Sequence, residues 1–314
     1  MHSRPKIIFP EVAVNLYKPA NPVEVPIVDN QIATLEASPN KIRHITFDVS
    51  GTALEGHIRA GQSIGILPYG LKERDGSPAK VRLYSVASPS RGEDGEGKLI
   101  ATTIKRVIDE EHDTQKLFLG LCSNYLSDFN PGETVKMTGP SGKRFVLPEN
   151  ADDFNYLLFA TGTGVAPYRG MLADLLERPG FRNQVTLVFG APYSTDLLYY
   201  DYFREMSVRH DNFHYLTSVS REGLRPDGRK NYVQHHLMDS QEILEPILSR
   251  ENTLIYICGL KGMEIGLFSM LVRQGHAGYL KISEELNVKP PEQWDTGDLK
   301  KRVRPGDRLF VEVY

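Results

Sequence analysis

The stretch Tyr156-Leu-Leu-Phe-Ala-Thr-Gly-Thr-Gly-Val-Ala-Pro167 sets a short apolar run directly against a glycine-rich turn, and a helix-like stretch, Tyr168 to Leu176, follows. An uninterrupted apolar run of this length suits a strand buried on both faces. Glycines permit a tight turn and close approach of backbone to a phosphate, and the helix that follows points its first amides at the anion. In open parallel sheets ligands sit outside the carboxyl ends of the strands, which is where this turn falls. The spacing is Gly-x-Gly-x-x-Pro rather than Gly-x-Gly-x-x-Gly. Taken alone, the turn is open to two readings: a dinucleotide site, or a plain glycine-rich connection.

The same theme repeats on the carboxyl side. Val185 to Phe189, Phe213 to Val219 and Leu254 to Cys258 are short apolar runs, separated by helix-like stretches at Asp196 to Arg209, Tyr232 to Leu248 and Lys261 to Gln274. Strands alternating with helices give a doubly wound parallel sheet. The amino half differs. Ile45, Phe47 and Val49 alternate with polar residues, the pattern of a half-buried strand, and Ile64–Leu67, Lys98–Val107 and Thr134–Thr138 are further strand candidates. Glycine, proline and asparagine punctuate them, so a closed antiparallel barrel or a sandwich is expected there. The charged, glycine-rich segment Pro89 to Lys98 reads as a mobile loop. Two domains follow, residues 1–150 and 151–314.

Bulk composition removes several classes. The net charge of −3 argues against general nucleic-acid binding, which needs a basic surface. Cys122 and Cys258 are the two cysteines, and they form neither a disulfide framework nor a CxxC metal site. Free thiols suit a reducing compartment. No apolar run is long enough to span a bilayer, and the first residues resemble neither a signal peptide nor a transit segment, so a cytoplasmic protein is expected. His235 and His236 are adjacent and would point different ways on a helix, so no metal site is expected.

Two motifs in the amino half carry chemistry. Arg82-Leu-Tyr-Ser85 offers a planar fork of donors for phosphate, a flat aromatic face and a small hydroxyl; an exposed charge beside a half-buried aromatic is the plainer reading. Gly120-Leu-Cys-Ser-Asn-Tyr-Leu126 could form a second phosphate turn, or simply cap a helix through Ser123 and Asn124.

In order along the chain stand Arg82-x-Tyr84-Ser85, Gly120-x-Cys122-Ser123-Asn124-Tyr125-Leu126, Gly139-Pro140-x-Gly142-Lys143, Gly162-Thr-Gly-Val-Ala-Pro-Tyr-Arg169, Ser218-Val-Ser-Arg221, Tyr256-Ile-Cys-Gly-Leu-Lys-Gly-Met-Glu264 and Val311-Glu-Val-Tyr314. From about Val14 onward this ordered set resembles the plant-type ferredoxin–NADP reductases. The resemblance implies an antiparallel FAD-binding β-barrel followed by an NADP-binding α/β domain. By it, Arg82 and Ser123 hold the FAD pyrophosphate, Tyr84 stacks on the isoalloxazine and Tyr314 covers its other face. Leu83, Ser85, Thr103, Lys105, Gly120, Leu121, Cys122 and Thr163 complete the implied FAD set. Ser85, Cys258, Glu312 and Tyr314 are the implied catalytic residues, gathered where hydride passes between nicotinamide and flavin. The implied NADP set is Lys105, Thr163, Gly164, Val165, Ser220, Arg221, Lys230, Tyr232, Gln234, Cys258, Gly259, Leu260, Met263 and Glu312. Ser220, Arg221, Lys230 and Tyr232 supply a hydroxyl, two cations and an aromatic face suited to a ribose 2′-phosphate, although Glu222 stands beside them.

Two departures stand out. Ile108-Asp109 occupies the place where many of these reductases stack the FAD adenine on a tyrosine, and the tail from Lys300 to Phe310 is longer than usual. The function implied is non-covalent FAD exchanging electrons between NADP(H) and a ferredoxin. A flavodoxin or an oxygenase chain is the alternative acceptor, and a non-catalytic docking module the rival class. A monomer is expected. An acidic carrier would dock on local cations, with Lys41, Arg43, Lys72, Arg74, Lys80 and Lys143 as candidates.

Overall fold

Alternation of apolar and polar residues builds the amino-terminal sheet of the computed structural model, which describes residues 4–110 and 116–314. Its strands are β1 (Val23–Ile32), β2 (Ile42–Asp48), β3 (Ser63–Leu67), β4 (Arg82–Ser85) and β5 (Leu99–Lys105). After the antiparallel pair β6 (Ile108–Glu110) and β7 (Leu117–Leu119) comes β8 (Thr134–Ser141). The order is β4-β3-β8-β1-β2-β5. The two edge strands come together through a bridge between Val86 and Thr102, beside an Ala87 N–H to Ala101 carbonyl bond of 2.7 Å, and share no regular ladder among the described residues. The sheet therefore curls like a barrel but keeps a seam. Val25, Ile27, Ile45, Phe47, Ile64 and Met137 fill its interior. Helices α1 (Leu121–Ser127) and α2 (Ala166–Leu176) belong to this unit.

The chain divides into two compact units. One comprises Phe9–Leu147 with Ala166–Arg178; the other comprises the residues up to Ile8, Pro148–Val165 and Pro179–Tyr314. Helix α2 thus goes with the barrel strands, although it lies beyond residue 150 in sequence. The contact is close: a Cβ built on Gly170 would stand 2.2 Å from the Ser88 carbonyl oxygen. The segment Pro89 to Lys98, expected to be mobile, is tied to this helix. Asp174 accepts from the Ser90 amide at 3.1 Å and from its hydroxyl at 2.5 Å. Arg169 donates to both carboxylate oxygens of Glu93, at 2.5 and 2.9 Å. Gly92, Gly95 and Gly97 take left-handed φ angles near 77°, which lets the loop turn while keeping these anchors.

The second unit is built on five parallel strands, β9 (Asn155–Thr161), β10 (Val185–Ala191), β11 (Phe213–Val219), β12 (Thr253–Gly259) and, after the short antiparallel pair β13 (Leu280–Ile282) and β14 (Val303–Pro305), β15 (Leu309–Val313). Their order is β11-β10-β9-β12-β15. The residues of β10 and β12 are buried throughout, as continuous apolar runs require. Helices α3 (Tyr200–Arg209), α4 (His236–Asp239), α5 (Gln241–Leu248), α6 (Met263–Arg273), α7 (Glu284–Asn287) and α8 (Thr296–Arg302) complete it.

Two helices differ from expectation. The one foreseen from Asp196 begins at Tyr200, because Tyr199 takes a left-handed φ of 56°. The one foreseen over Tyr232–Leu248 is broken at Ser240, whose hydroxyl bonds the His236 ring at 2.9 Å. The extended tail is absorbed by α8 and β14, so β15 still reaches its place beside β12.

Asp174 is the anchor of the 89–98 loop. Asp174→Ala leaves the Ser90 donors unpaired and is expected to cost about 1–3 kcal/mol. Denaturant unfolding should show the loss, and limited proteolysis should cut between Pro89 and Lys98 faster than in the parent.

Candidate active site

In the parallel-sheet unit two backbone segments cross at the carboxyl ends of β9 and β12. A Cβ on Gly164 would lie 2.3 Å from the Cys258 carbonyl oxygen, and one on Gly259 2.2 Å from Thr161 Oγ1. Only glycine fits at either place. Thr161 Oγ1 accepts from the Leu260 amide at 3.0 Å and lies 3.1 Å from Met263 Sδ. Thr163, Gly164, Val165, Cys258, Gly259, Leu260 and Met263 are thereby gathered around one crossing.

Strand β15 adds the rest. Its register sets Glu312 directly opposite Cys258. Tyr314 donates its amide to the Gly259 carbonyl at 3.1 Å, accepts from the Lys261 amide at 3.0 Å, and its hydroxyl stands 2.6 Å from Thr163 Oγ1. The terminal tyrosine is therefore held against the glycine turn while remaining more than half exposed, at 57%. Burial pushes the Cys258 thiol far above its ordinary range, and the Glu312 charge adds to this. Burial alone pushes the Glu312 carboxyl up to about 7. Below that pH the pair is neutral, and Glu312 holds a proton that it can give up near neutrality.

Ser220 and Arg221 follow β11, their amides bonded to the Ala191 and Pro192 carbonyls at 3.0 and 2.8 Å. The Arg221 guanidinium lies 5.9 Å from the centre of the Tyr193 ring. Glu222, the acidic neighbour of this motif, is turned to Ser194, accepting from its amide at 2.7 Å and its hydroxyl at 3.1 Å. Lys230 and Tyr232 are exposed or nearly so, while Gln234 packs against Gly266 of α6. Arg225 was not foreseen. It ties the intervening loop to α4 through both oxygens of Asp239, one bond at 3.0 Å.

In the barrel unit Arg82, Leu83, Tyr84 and Ser85 form β4 itself. Arg82 is held by Glu73 at 2.9 Å and by the Lys80 carbonyl at 3.1 Å. Glu73 was missed because nothing in its sequence context announces a partner nine residues away. Tyr84 packs near Cys122; burial raises both groups above their usual ranges, the thiol to about 11. The Ser85 carbonyl accepts from Thr102 Oγ1 at 2.7 Å. Thr103 is buried in β5, and Lys105 ends that strand exposed.

The turn before α1 corrects the capping expectation. Gly120 is the N-cap and gives no side-chain cap, while Ser123 and Asn124 lie in the first turn. Ser123 Oγ accepts from the Val107 amide at 3.2 Å, and Asn124 Nδ2 donates to Val107 and Gly120 carbonyls at 2.8 Å each. α1 starts without a side-chain cap, the Arg82 guanidinium is oriented by Glu73, and Leu71 and Leu119 line a groove beside Gly120 and Leu121. These features suit a ligand with apolar rings and a diphosphate, and FAD is such a ligand.

Among the described residues no cluster of three His, Cys, Asp or Glu could hold a metal, and no helix is long and apolar enough to cross a membrane.

An antiparallel barrel-like unit, and a parallel α/β unit whose glycine turn adjoins a buried cysteine paired with a half-buried glutamate, are the build of a pyridine-nucleotide oxidoreductase. The family model for an oxidoreductase NAD-binding domain matches residues 158–267. A ferredoxin–NADP reductase of Spirulina sp. is 36% identical over 311 residues, covering 97% of this chain and 99% of that one. The chloroplastic leaf isozyme 1 of Arabidopsis thaliana is 35% identical over 96% of this chain and 80% of its own. A solved ferredoxin–NADP+ reductase from Plasmodium falciparum shares the fold at TM-score 0.71 and 24% identity, covering 98% of this chain and 100% of that one. This chain belongs to the ferredoxin–NADP reductase family.

The raised Glu312 carboxyl has a consequence for stability. A carboxyl that binds its proton more tightly in the fold contributes stability below about pH 4.5, and loses it as pH rises through about 7. Glu312→Gln should therefore stabilise the protein at pH 8, by on the order of 1–3 kcal/mol, and change little at pH 4. Thermal unfolding across this range checks the sign.

Proposed function

We propose that the chain is a working ferredoxin–NADP(+) reductase, with FAD on the barrel unit and NADP(H) on the parallel-sheet unit. The observation that carries this reading is the register of β12 and β15. It sets a fully buried thiol and a carboxyl titrating near neutrality side by side at the glycine turn. A mere docking scaffold has no use for so costly a burial.

Bound FAD supplies the conversion between a two-electron nicotinamide and a one-electron carrier. The chain's own residues position and exclude. Arg82, oriented in advance by Glu73, meets the FAD diphosphate together with the Gly120–Ser123 turn, and Leu83, Tyr84 and Ser85 line the ring system. Thr103 and Lys105 flank it from β5. Gly164 and Gly259 let the nicotinamide arm pass close to backbone, Cys258 leaves room for its ring, and Glu312 holds or moves a proton beside it. Tyr314, anchored by Thr163, acts as the removable cover. Ser220, Arg221, Lys230 and Tyr232 take the adenosine 2′-phosphate, and the diversion of Glu222 to Ser194 removes the acidic competitor. Arg221→Ala should reduce the preference for NADPH over NADH by roughly one to two orders of magnitude, the value of one charge-assisted contact. Steady-state kinetics with both coenzymes measures it, and an equal rise in both KM values counts against the assignment.

Ferredoxin is the protein partner. The docking face we infer is narrower than the sequence suggested. Lys72, Arg74 and Lys80 share one exposed loop, and Lys41 and Lys143 are exposed elsewhere. Arg43 is turned to Asn30, donating to its carbonyl at 2.9 Å. We infer a reducing, cytoplasmic setting, which suits the two free buried cysteines, and a monomer. NADPH-driven reduction of cytochrome c through ferredoxin tests the function. Its rate should fall as salt rises, while ferricyanide reduction changes far less. Lys72→Glu with Lys80→Glu should reproduce the loss at low salt. Indifference to both would move the docking face, and activity with a flavodoxin alone would change the carrier.

A further inference from the structure

The connection from β11 to α4 carries the residues proposed to take the 2′-phosphate, yet residues 222–232 form neither helix nor strand. A lysine on such a span loses much freedom when it meets a ligand. One residue breaks the pattern. Over 221–230 every residue is exposed except Arg225, whose side chain is 13% exposed. We propose that Arg225 and Asp239 form a positioning clamp that sets Lys230 for the 2′-phosphate of NADPH, an inference that rests on the NADP(H) reading of this unit.

Three observations carry it. The first is the anchor. Helix α4 is fixed by Leu237, buried in the core, and by His236 Nε2, which donates to the Thr217 carbonyl of β11 at 3.1 Å. Asp239 ends that helix, and the Arg225 guanidinium meets both of its carboxylate oxygens, one at 3.0 Å. Exposed single-point ion pairs contribute little, but a two-point pair with a largely buried guanidinium fixes direction as well as distance. The same bonds hold the Asp239 carboxyl below its usual range, so the pair stays charged at neutral pH.

The second is the turn that the clamp carries. Arg225 donates its amide to the Arg229 carbonyl at 2.8 Å, and Gly228, at a left-handed φ of 76°, donates to the Arg225 carbonyl at 2.9 Å. Asp227 reinforces the turn, standing 3.6 Å from Arg225 Nε and accepting from the Arg229 guanidinium at 2.7 and 3.0 Å. Lys230 is the next residue, so its backbone leaves a closed turn that is pinned to α4. Two residues on, the Tyr232 amide donates to His235 Nδ1 at 3.1 Å, which fixes the span on its other side.

The third is charge. Arg225 and Arg229 are matched by Asp239 and Asp227, whereas Arg221 and Lys230 pair with no carboxylate among the described residues. The cations left for a phosphate are those at the two ends of the span. Arg225 therefore acts on the ligand through Lys230 and does not touch it.

The test is steady-state ferricyanide reduction by the FAD-loaded enzyme with NADPH or NADH, together with inhibition by 2′-phospho-5′-AMP and, as control, 5′-AMP. Arg225→Ala and Asp239→Asn should each raise the KM for NADPH and the inhibition constant of 2′-phospho-5′-AMP roughly fivefold, as for a site that is competent only part of the time. The kcat, the KM for NADH and inhibition by 5′-AMP should stay unchanged. In a Lys230→Ala background neither substitution should have a further effect. If Arg225→Ala weakens NADPH while Asp239→Asn strengthens it, Arg225 is a direct ligand and the clamp is overturned. Equal losses for NADPH and NADH, full additivity with Lys230→Ala, or no effect of either substitution overturn it as well, while the NADP(H) reading stands. A parent with no preference for NADPH over NADH overturns that reading and the clamp with it.

Discussion

The arrangement depends on one steric constraint: at the carboxyl ends of β9 and β12 the two chain segments run too close for any side chain. Gly164 sits against the Cys258 carbonyl, and Gly259 against Thr161 Oγ1. Because the crossing is this tight, the β12 end is fixed relative to the glycine turn. β15 then inherits the position through its ladder with β12, which is why Glu312 falls opposite Cys258 and Tyr314 reaches Thr163. A methyl group at either glycine would push the strands apart and disturb all of these residues together.

The barrel unit organises its side of the chemistry by different means. No single contact sets its geometry. Arg82 is aimed by a carboxylate on a neighbouring loop, and the Lys80 amide and Arg82 together hold the Glu73 carboxyl below its usual range. The α1 turn is stitched to Val107 by Ser123 and Asn124. Polar groups that read as candidate ligands are partly spent on holding the backbone. Burying such groups without partners would be unfavourable, so their internal bonds are part of how the surface keeps its shape.

Much of this is legible in the sequence. The apolar runs identify β9, β10, β11 and β12, and the glycine turn lies at the end of a strand, as its residues imply. The ordered motifs point to the family and to the residues that gather at the crossing. What stays hidden depends on three-dimensional partners. The 89–98 loop looks free because its charges and glycines are those of solvated loops, and its anchors, Arg169 and Asp174, lie far along the chain. The capping role expected of Ser123 and Asn124 is displaced into the first turn, since both residue types suit a cap equally well and only the backbone decides where the helix begins. Glu222 reads as a competitor for the ribose because its partner, Ser194, sits on the loop after a different strand.

The placement of α2 has a consequence for how the molecule can be divided. The chain passes between its two units after residues 8, 147, 165 and 178, so the barrel borrows a helix encoded inside the other half. A gene cut at residue 150 would yield a barrel stripped of the helix that Ser88, Ser90 and Glu93 rest on. The halves are therefore interleaved rather than strung in series. Exchanging nucleotide domains between relatives would succeed only if the recipient barrel accepted the incoming α2, which makes that helix a shared inheritance of both halves.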